Sequence, residues 1–420
     1  MAVQVSAHPI SVPEHEPHAG GFASRSEGQR RTLHRRTRTG WGAYLGLSAL
    51  VALVVYTAVP VGQAAPGYSQ EAFVTVSTGS CATSPGTGWS SLTPPSRSGV
   101  SLTYDAAHGY LLAFGGITDI AGATPDGDTW EFKGGCWTQV CTSCVSGTSE
   151  PSARYNAGIT YDTADGYVLL YGGCSTLGAV IGSSVVCGKT SSYYDSDAWE
   201  WTGSQWSQLC SSCSPGGREY PVLSYDSSDG YVVLFGGDTA SAYCGDTWKY
   251  GGAGTWTELY STSTDCVTGG TTCTSTTCPA VRSYAVMSYD TQDSEVVLFG
   301  GANGAGELQD TWLFKAGAWT ECTGSTCTGT NEPGVTAFAT MAYDPPHTFT
   351  LLVGGYSGTA IYSGFYWTFV GSTWTKTTTA NVPAVQSAGM AYDGSASDGY
   401  VVLFGGATSQ ADQGTTWAFA

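Results

Sequence analysis

Tyr225-Asp226-Ser227-Ser228-Asp229-Gly230-Tyr231-Val232-Val233-Leu234-Phe235-Gly236-Gly237 is the stretch on which the fold turns. Asp229-Gly230 is the signature of a tight hairpin turn, because both residues tolerate the backbone angles such a turn imposes. The run that follows is β-branched and aromatic, of strand length, and apolar on both faces, as an inner strand covered on both sides would be. Gly-Gly then ends it, where a missing Cβ permits positive φ and the close approach of another backbone. Downstream, Asp246-Thr247-Trp248 opens a third strand, and Trp256, after the short turn Tyr250-Gly251-Gly252, opens a fourth.

The same unit recurs through the chain. Tyr-Asp stands at 104-105, 161-162, 225-226, 289-290, 343-344 and 392-393. Gly-Gly follows at 115-116, 172-173, 236-237, 300-301, 354-355 and 405-406, eleven residues after the Tyr in five copies and thirteen in the last. A first Trp comes at 130, 199, 248, 312, 367 and 417, and a second at 137, 206, 256, 319 and 374. Four strands per unit, repeating every 49 to 64 residues, fit the blades of a propeller. The Trp rings offer flat surfaces for packing one blade on the next.

The pattern resembles kelch repeats, a β-propeller family that includes the central domain of galactose oxidase, over roughly residues 87 to 420. The Gly-Gly pairs, the paired Trp residues and the segments Pro95-Ser96-Arg97, Pro151-Ser152-Ala153-Arg154 and Pro279-Ala280-Val281-Arg282 carry the likeness. Copies five and six depart from it, with Val335 and Gln386 near the place of the Arg. The resemblance implies an all-β fold, a six-bladed kelch-like propeller. Copy six stops at Thr416-Trp417-Ala418-Phe419-Ala420, without a fourth strand, while Gly88-Trp89-Ser90-Ser91-Leu92 stands unused before the first copy. Residues 87-93 are therefore expected to complete the sixth blade and close the ring, removing an open sheet edge.

Strand direction alternates within a blade, so the loops after strands two and four share one face. That face receives the irregular segments 174-196, 238-245, 260-280, 322-334 and 356-364. Long loops on a rigid scaffold suit a binding surface, although a surface rich in Ser and Thr also tolerates insertions. Tyr193, Tyr194, Tyr243, Tyr356 and Tyr362 lie in these loops and are the candidate ligand-binding residues, since tyrosine offers apolar area and a hydroxyl at low entropic cost. The competing reading is that they pack their own loops.

Before residue 41 there are six Arg and three acids, leaving 9 basic against 30 acidic residues beyond. No nucleic-acid partner is expected of such a domain. Trp41 to Ala65 is a continuous apolar span preceded by that Arg cluster, long enough to cross a bilayer with the tail inside the cell and the rest outside. The expected organisation is a disordered basic tail (1-40), a transmembrane signal anchor or signal peptide (41-65), a linker (66-86) and the propeller (87-420). The protein is then held at the cell membrane, or secreted if the leader is cleaved near Gly62-Gln63-Ala64.

Fourteen cysteines in an exported chain read first as disulfides. Cys81 with Cys136 is one expected bridge, because both precede outer-strand Trp residues of adjoining blades. Cys141 with Cys144, Cys174 with Cys187, Cys210 with Cys213, Cys273 with Cys278 and Cys322 with Cys327 are near-neighbour candidates, leaving Cys244 and Cys266. The Cys-x-x-Cys spacings at 141-144 and 210-213 also suit zinc, but oxidation outside the cell favours disulfides. No metal and no cofactor is expected.

Only His108 and His347 fall in the exported domain, both in first hairpin turns on the face opposite the long loops, away from any Tyr and Cys pair there. A copper-radical centre like that of the kelch-like oxidases is not matched. No Gly-x-Ser-x-Gly elbow leads into a helix, no sequence spacing singles out a carboxylate pair, and no Asp-x-Asp-x-Asp-Gly loop suits calcium. The expected function is a non-catalytic extracellular binding or adhesion module for a surface protein or glycan. The alternative is a carbohydrate-active enzyme, a lyase, isomerase or oxidase, on the same scaffold.

Overall fold

The computed structural model describes residues 73–76 and, apart from short loop segments, 94–419. The basic tail, the apolar span Trp41 to Ala65 and the stretch 77-93 lie outside the described residues, as do Cys81, Cys141, Cys144 and Cys327. No described helix is long and apolar enough to cross a membrane.

Six sheets form the blades of a β-propeller, five of four antiparallel strands and the third extended by a short parallel fifth strand, Thr271–Thr272. Their innermost strands are Ser101–Asp105, Gly158–Asp162, Val222–Asp226, Val286–Asp290, Thr340–Asp344 and Gly389–Asp393. Each touches the next, and the sixth touches the first. The second strands are the apolar runs that end in Gly-Gly, such as Tyr231–Phe235, in which Val232 to Phe235 are fully buried. One backbone bond repeats at all six junctions: the amide of the second Gly donates to a carbonyl at the start of the following blade. The bonds run Gly116 to Arg154, Gly173 to Arg218, Gly237 to Arg282, Gly301 to Thr336, Gly355 to Val385 and Gly406 to Arg97, at 2.8 to 3.0 Å. A Cβ on Gly405 would come within 2.5 Å of the Arg97 carbonyl oxygen, at a φ of +72°. Glycine is required there by both space and conformation.

The sixth blade is completed from the N-terminal side, but by a different segment from the one expected. Phe73–Thr75 pairs antiparallel with Thr416–Phe419, Phe73 opposite Phe419. Residues 87-93 lie outside the described set, and the edge they were expected to cover is occupied. The physical reason is Phe73, which is buried with its ring 4.9 Å from Phe419 and 5.9 Å from Tyr366. It seats the outer strand with a Phe where the other blades use a Trp.

The outer Trp residues link the blades in one direction. Each packs on the aromatic residue before Gly-Gly of the preceding blade: Trp206 on Phe114, Trp319 on Phe235, Trp374 on Phe299 and, across the seam, Trp137 on Phe404 at 4.6 Å. The same four indoles donate to threonine hydroxyls of that blade, Thr129, Thr247, Thr311 and Thr416, each at 2.9 Å. Trp256 packs on Tyr171 in the same way, at 5.1 Å, but its acceptor position holds Ala198, and its buried Nε1 has no hydrogen-bond partner. A lost bond of this kind costs about 1 kcal/mol. Ala198→Thr is expected to restore the acceptor and raise stability by about that amount. Chemical denaturation of the two proteins checks it, and an unchanged midpoint would refute it.

A second repeated device joins strand one to strand three. Arg97, Arg154, Arg218 and Arg282 are buried and donate both to the carbonyl of the first Gly of their own blade and, two-pronged, to Asp128, Asp197, Asp246 and Asp310. Each Asp also accepts the indole N–H of the Trp two residues later. Burial works against the charge of Asp197 and Asp310, yet the Arg154 and Arg282 bonds hold both below the usual carboxylate range. In blades five and six the Arg position falls on Thr336 and Val385, one residue from the expected Val335 and Gln386, as the repeated Gly-Gly bonds fix the register.

Four disulfides have both partners among the described residues: Cys174 with Cys187, Cys210 with Cys213, Cys244 with Cys266 and Cys273 with Cys278. Three are the near-neighbour pairs expected from the sequence, and the fourth joins the two cysteines that scheme left over. Cys136 and Cys322 are also disulfide-bonded.

Candidate functional site

The inner strands surround an axial channel with two unlike mouths. On the long-loop face, the residue two beyond each Arg position turns inward with positive φ: Asn156, Tyr220, Tyr284, Phe338 and Ser387, at +50° to +61°, and Gly99 at +65°. Their backbones bond around the axis, Gly99 to Ser387, Asn156 to Gly99, Tyr220 to Asn156, Phe338 to Tyr284 and Ser387 to Phe338. The rings of Tyr284 and Phe338 stack at 4.3 Å, with Tyr220 edge-on to both. Val186, from the long loop of blade two, is buried in this cluster.

That loop is latched to a pair of acids. Glu219 and Asp238 are direct partners in an isolated antiparallel bridge, both buried. Glu219 Oε1 accepts the amide of Cys187 at 2.6 Å. Asn156 Nδ2 donates to Glu219 Oε2 and to the carbonyl of Val185, both at 3.1 Å. Asp238 Oδ1 accepts from Ser283 Oγ at 2.7 Å. Burial, and then the charge of Asp238, raise Glu219 well above the usual carboxylate value, and burial pushes Asp238 up to about 7. The Cys174–Cys187 disulfide secures the same segment, so Val185 to Cys187 sits over both the acids and this mouth.

The five loop tyrosines occupy different settings. Tyr193 is the exposed one, at 36% of its surface. Tyr194 is buried with Tyr155, Val185 and the Cys174–Cys187 pair. Tyr243 packs edge-on to Tyr284 at 6.4 Å. Tyr356 donates to the Gly358 carbonyl within its own loop, and Tyr362 donates to the carbonyl of Val335.

The opposite mouth, between the hairpin turns, is open. A cavity of about 370 Å³ lies there, ringed by Tyr104, Tyr161, Tyr225, Tyr289, Tyr343 and Tyr392. These are the six tyrosines of the repeated Tyr-Asp pair. Read along the chain they mark strand ends; six-fold placement around one axis makes them a ring. The Asp of each pair is buried behind it. Five of them cap their own turn, as Asp226 Oδ1 does for the amides of Ser228 and Asp229, while Asp344, followed by Pro345 and Pro346, meets His347 Nδ1 instead. Each Tyr leans on the preceding blade. Tyr289 OH bonds Ser228 Oγ at 2.8 Å, and Tyr161 lies near the Ala107 amide. Burial, followed by the Asp of the preceding blade, raises Tyr104, Tyr161, Tyr225 and Tyr392; Tyr343 is raised by burial and by Asp290.

His108 and His347 lie at this end, each with Nδ1 2.9 Å from the Asp three residues before it. Among the described residues no group of three His, Cys, Asp or Glu is placed to hold a metal ion. No family model and no curated protein matches the chain. The fold and the two mouths therefore define its class: a six-bladed β-propeller with one axial opening stoppered and the other lined by tyrosine.

Proposed function

We propose that the protein is a kelch-like recognition propeller that works outside the cell, binding a surface protein or glycan without transforming it. The observation that carries this reading is the open, tyrosine-ringed cavity between the hairpin turns. Tyrosine combines apolar area with a polar tip and is a preferred residue of recognition surfaces. The disulfides support an oxidising compartment. A rigid ring that presents a preformed cavity pays little ordering entropy on binding.

Capture from an array of cell-surface proteins and glycans tests the proposal. The Tyr161→Leu, Tyr289→Leu double variant is expected to lose at least about tenfold in capture, with its melting temperature nearly unchanged. Tyr193→Ala serves as the arm for the long-loop face. If neither variant alters capture, the propeller surface is not the recognition site.

One observation favours the enzymatic alternative, the Glu219–Asp238 pair, whose unlike environments are of the kind that separates an acid from a base. Val185 to Cys187 covers both carboxylates, so this reading requires the loop to move. Turnover of an oligosaccharide panel, abolished by Glu219→Gln, would establish it.

A further inference from the structure

We propose that the tyrosine-ringed mouth is a binding site for an ammonium group, carried on a lysine side chain of a partner protein; this rests on the recognition reading above. No residue that lines the cavity is charged, but all six rings stand in front of buried aspartates: Asp105, Asp162, Asp226, Asp290, Asp344 and Asp393. An aromatic wall backed by negative charge is the chemistry that holds organic cations. The aspartates are incompletely satisfied. Asp226 Oδ2, Asp290 Oδ2, Asp344 Oδ1 and Asp393 Oδ2 are buried without a hydrogen-bond partner. Burial raises Asp162, Asp226 and Asp290 above the ordinary carboxylate value, the mark of negative charges lacking a counter-charge. The cations nearby are engaged at the outer turns, Lys133 on the His108 carbonyl and Lys315 on the Asp293 carbonyl and Glu295. His108 and His347 pair with Asp105 and Asp344 at the rim.

The shape selects the carrier. The cavity opens between short turns and leads toward a channel whose far mouth is stoppered by Val186, so a slender side chain projecting from a flat partner enters it along the axis.

The experiment titrates the full chain with four probes: acetyl-lysine methylamide with a free ε-amine, its norleucine isostere, tetramethylammonium and glucosamine, followed by tyrosine fluorescence. The lysine derivative is expected to bind at least about tenfold more tightly than norleucine. Tyr161→Leu with Tyr289→Leu should weaken it about fivefold or more. Asp226→Asn should weaken it too, because Asn Oδ1 keeps the caps to Ser228 and Asp229 while the charge is gone. Equal binding of norleucine, or unchanged affinity in both variants, overturns the proposal. Preference for glucosamine, or for tetramethylammonium with no response to lysine, overturns the lysine carrier. If the cavity captures a surface ligand in the array yet shows no preference for an ammonium, this inference falls and the recognition reading stands.

Discussion

Arg218→Met is expected to cost about 3–5 kcal/mol of stability, because it strands a charge where water cannot reach. Arg218 and Asp246 are both fully buried, the guanidinium holding the carboxylate through two bonds of 2.7 and 2.9 Å. The same Arg reaches the carbonyls of Gly236 and Pro215 at 3.1 and 2.9 Å, so the substitution also removes two carbonyl partners. Arg97→Met should cost less, since Asp128 is 21% exposed and water can take over part of the solvation. Adding Asp246→Asn to Arg218→Met is expected to recover part of the loss by removing the orphaned charge. Urea denaturation of the three variants measures this, and equal midpoints for Arg97→Met and Arg218→Met would contradict the burial argument.

Stability should fall as pH rises from about 5 to 8, the opposite of what paired surface carboxylates give. In the unfolded chain Glu219 and Asp238 ionise near the ordinary value of about 4. In the folded chain Asp238 is held up to about 7 and Glu219 is raised as well, so the folded form carries more protons between those limits. Each step upward in pH then favours unfolding: the contribution is complete below the unfolded pKa and lost through the folded one. Burial pushes Asp126 and Asp195 to about 6, adding loss of the same sign. The combined effect is of the order of a few kcal/mol. Below about pH 4 the trend reverses, as Asp197 and Asp310 take up protons and release Arg154 and Arg282. Melting temperatures from pH 4.5 to 8.5 should therefore decline, and Glu219→Gln should flatten the curve. A profile that climbs to pH 8 would show that the pair is not held protonated.

The blades were legible in the sequence because glycine and tryptophan do work there that no other residue can. Six Gly-Gly pairs sit where a Cβ would strike the next blade, and that requirement imprints directly on the chain. The closing strand was not legible. Phe73-Val74-Thr75 has three residues and no Trp, whereas Gly88-Trp89 carries the local pattern of an outer strand. What places Phe73 is its packing on Phe419 and Tyr366, a tertiary fact. The acids Glu219 and Asp238 escaped for a related reason. They lie on either side of a hairpin and become neighbours only through the bridge that follows Gly-Gly. The tyrosine ring was visible residue by residue, yet its function-bearing property is rotational: six equal positions around an axis make one wall.

The closing strand also decides which parts of the molecule are interchangeable. Phe419 and Phe73 stand opposite each other in register, as Phe132 and Trp137 do on either side of the Lys133 to Cys136 turn. The Gly406 to Arg97 bond at the seam is the same bond found at the other five junctions. A four-residue link from 419 to 73 would therefore repeat a turn the fold already contains, and the polypeptide could begin between any two blades without altering a single interface. The order of the blades in the gene is one choice among six, and the ring is the same object in all of them.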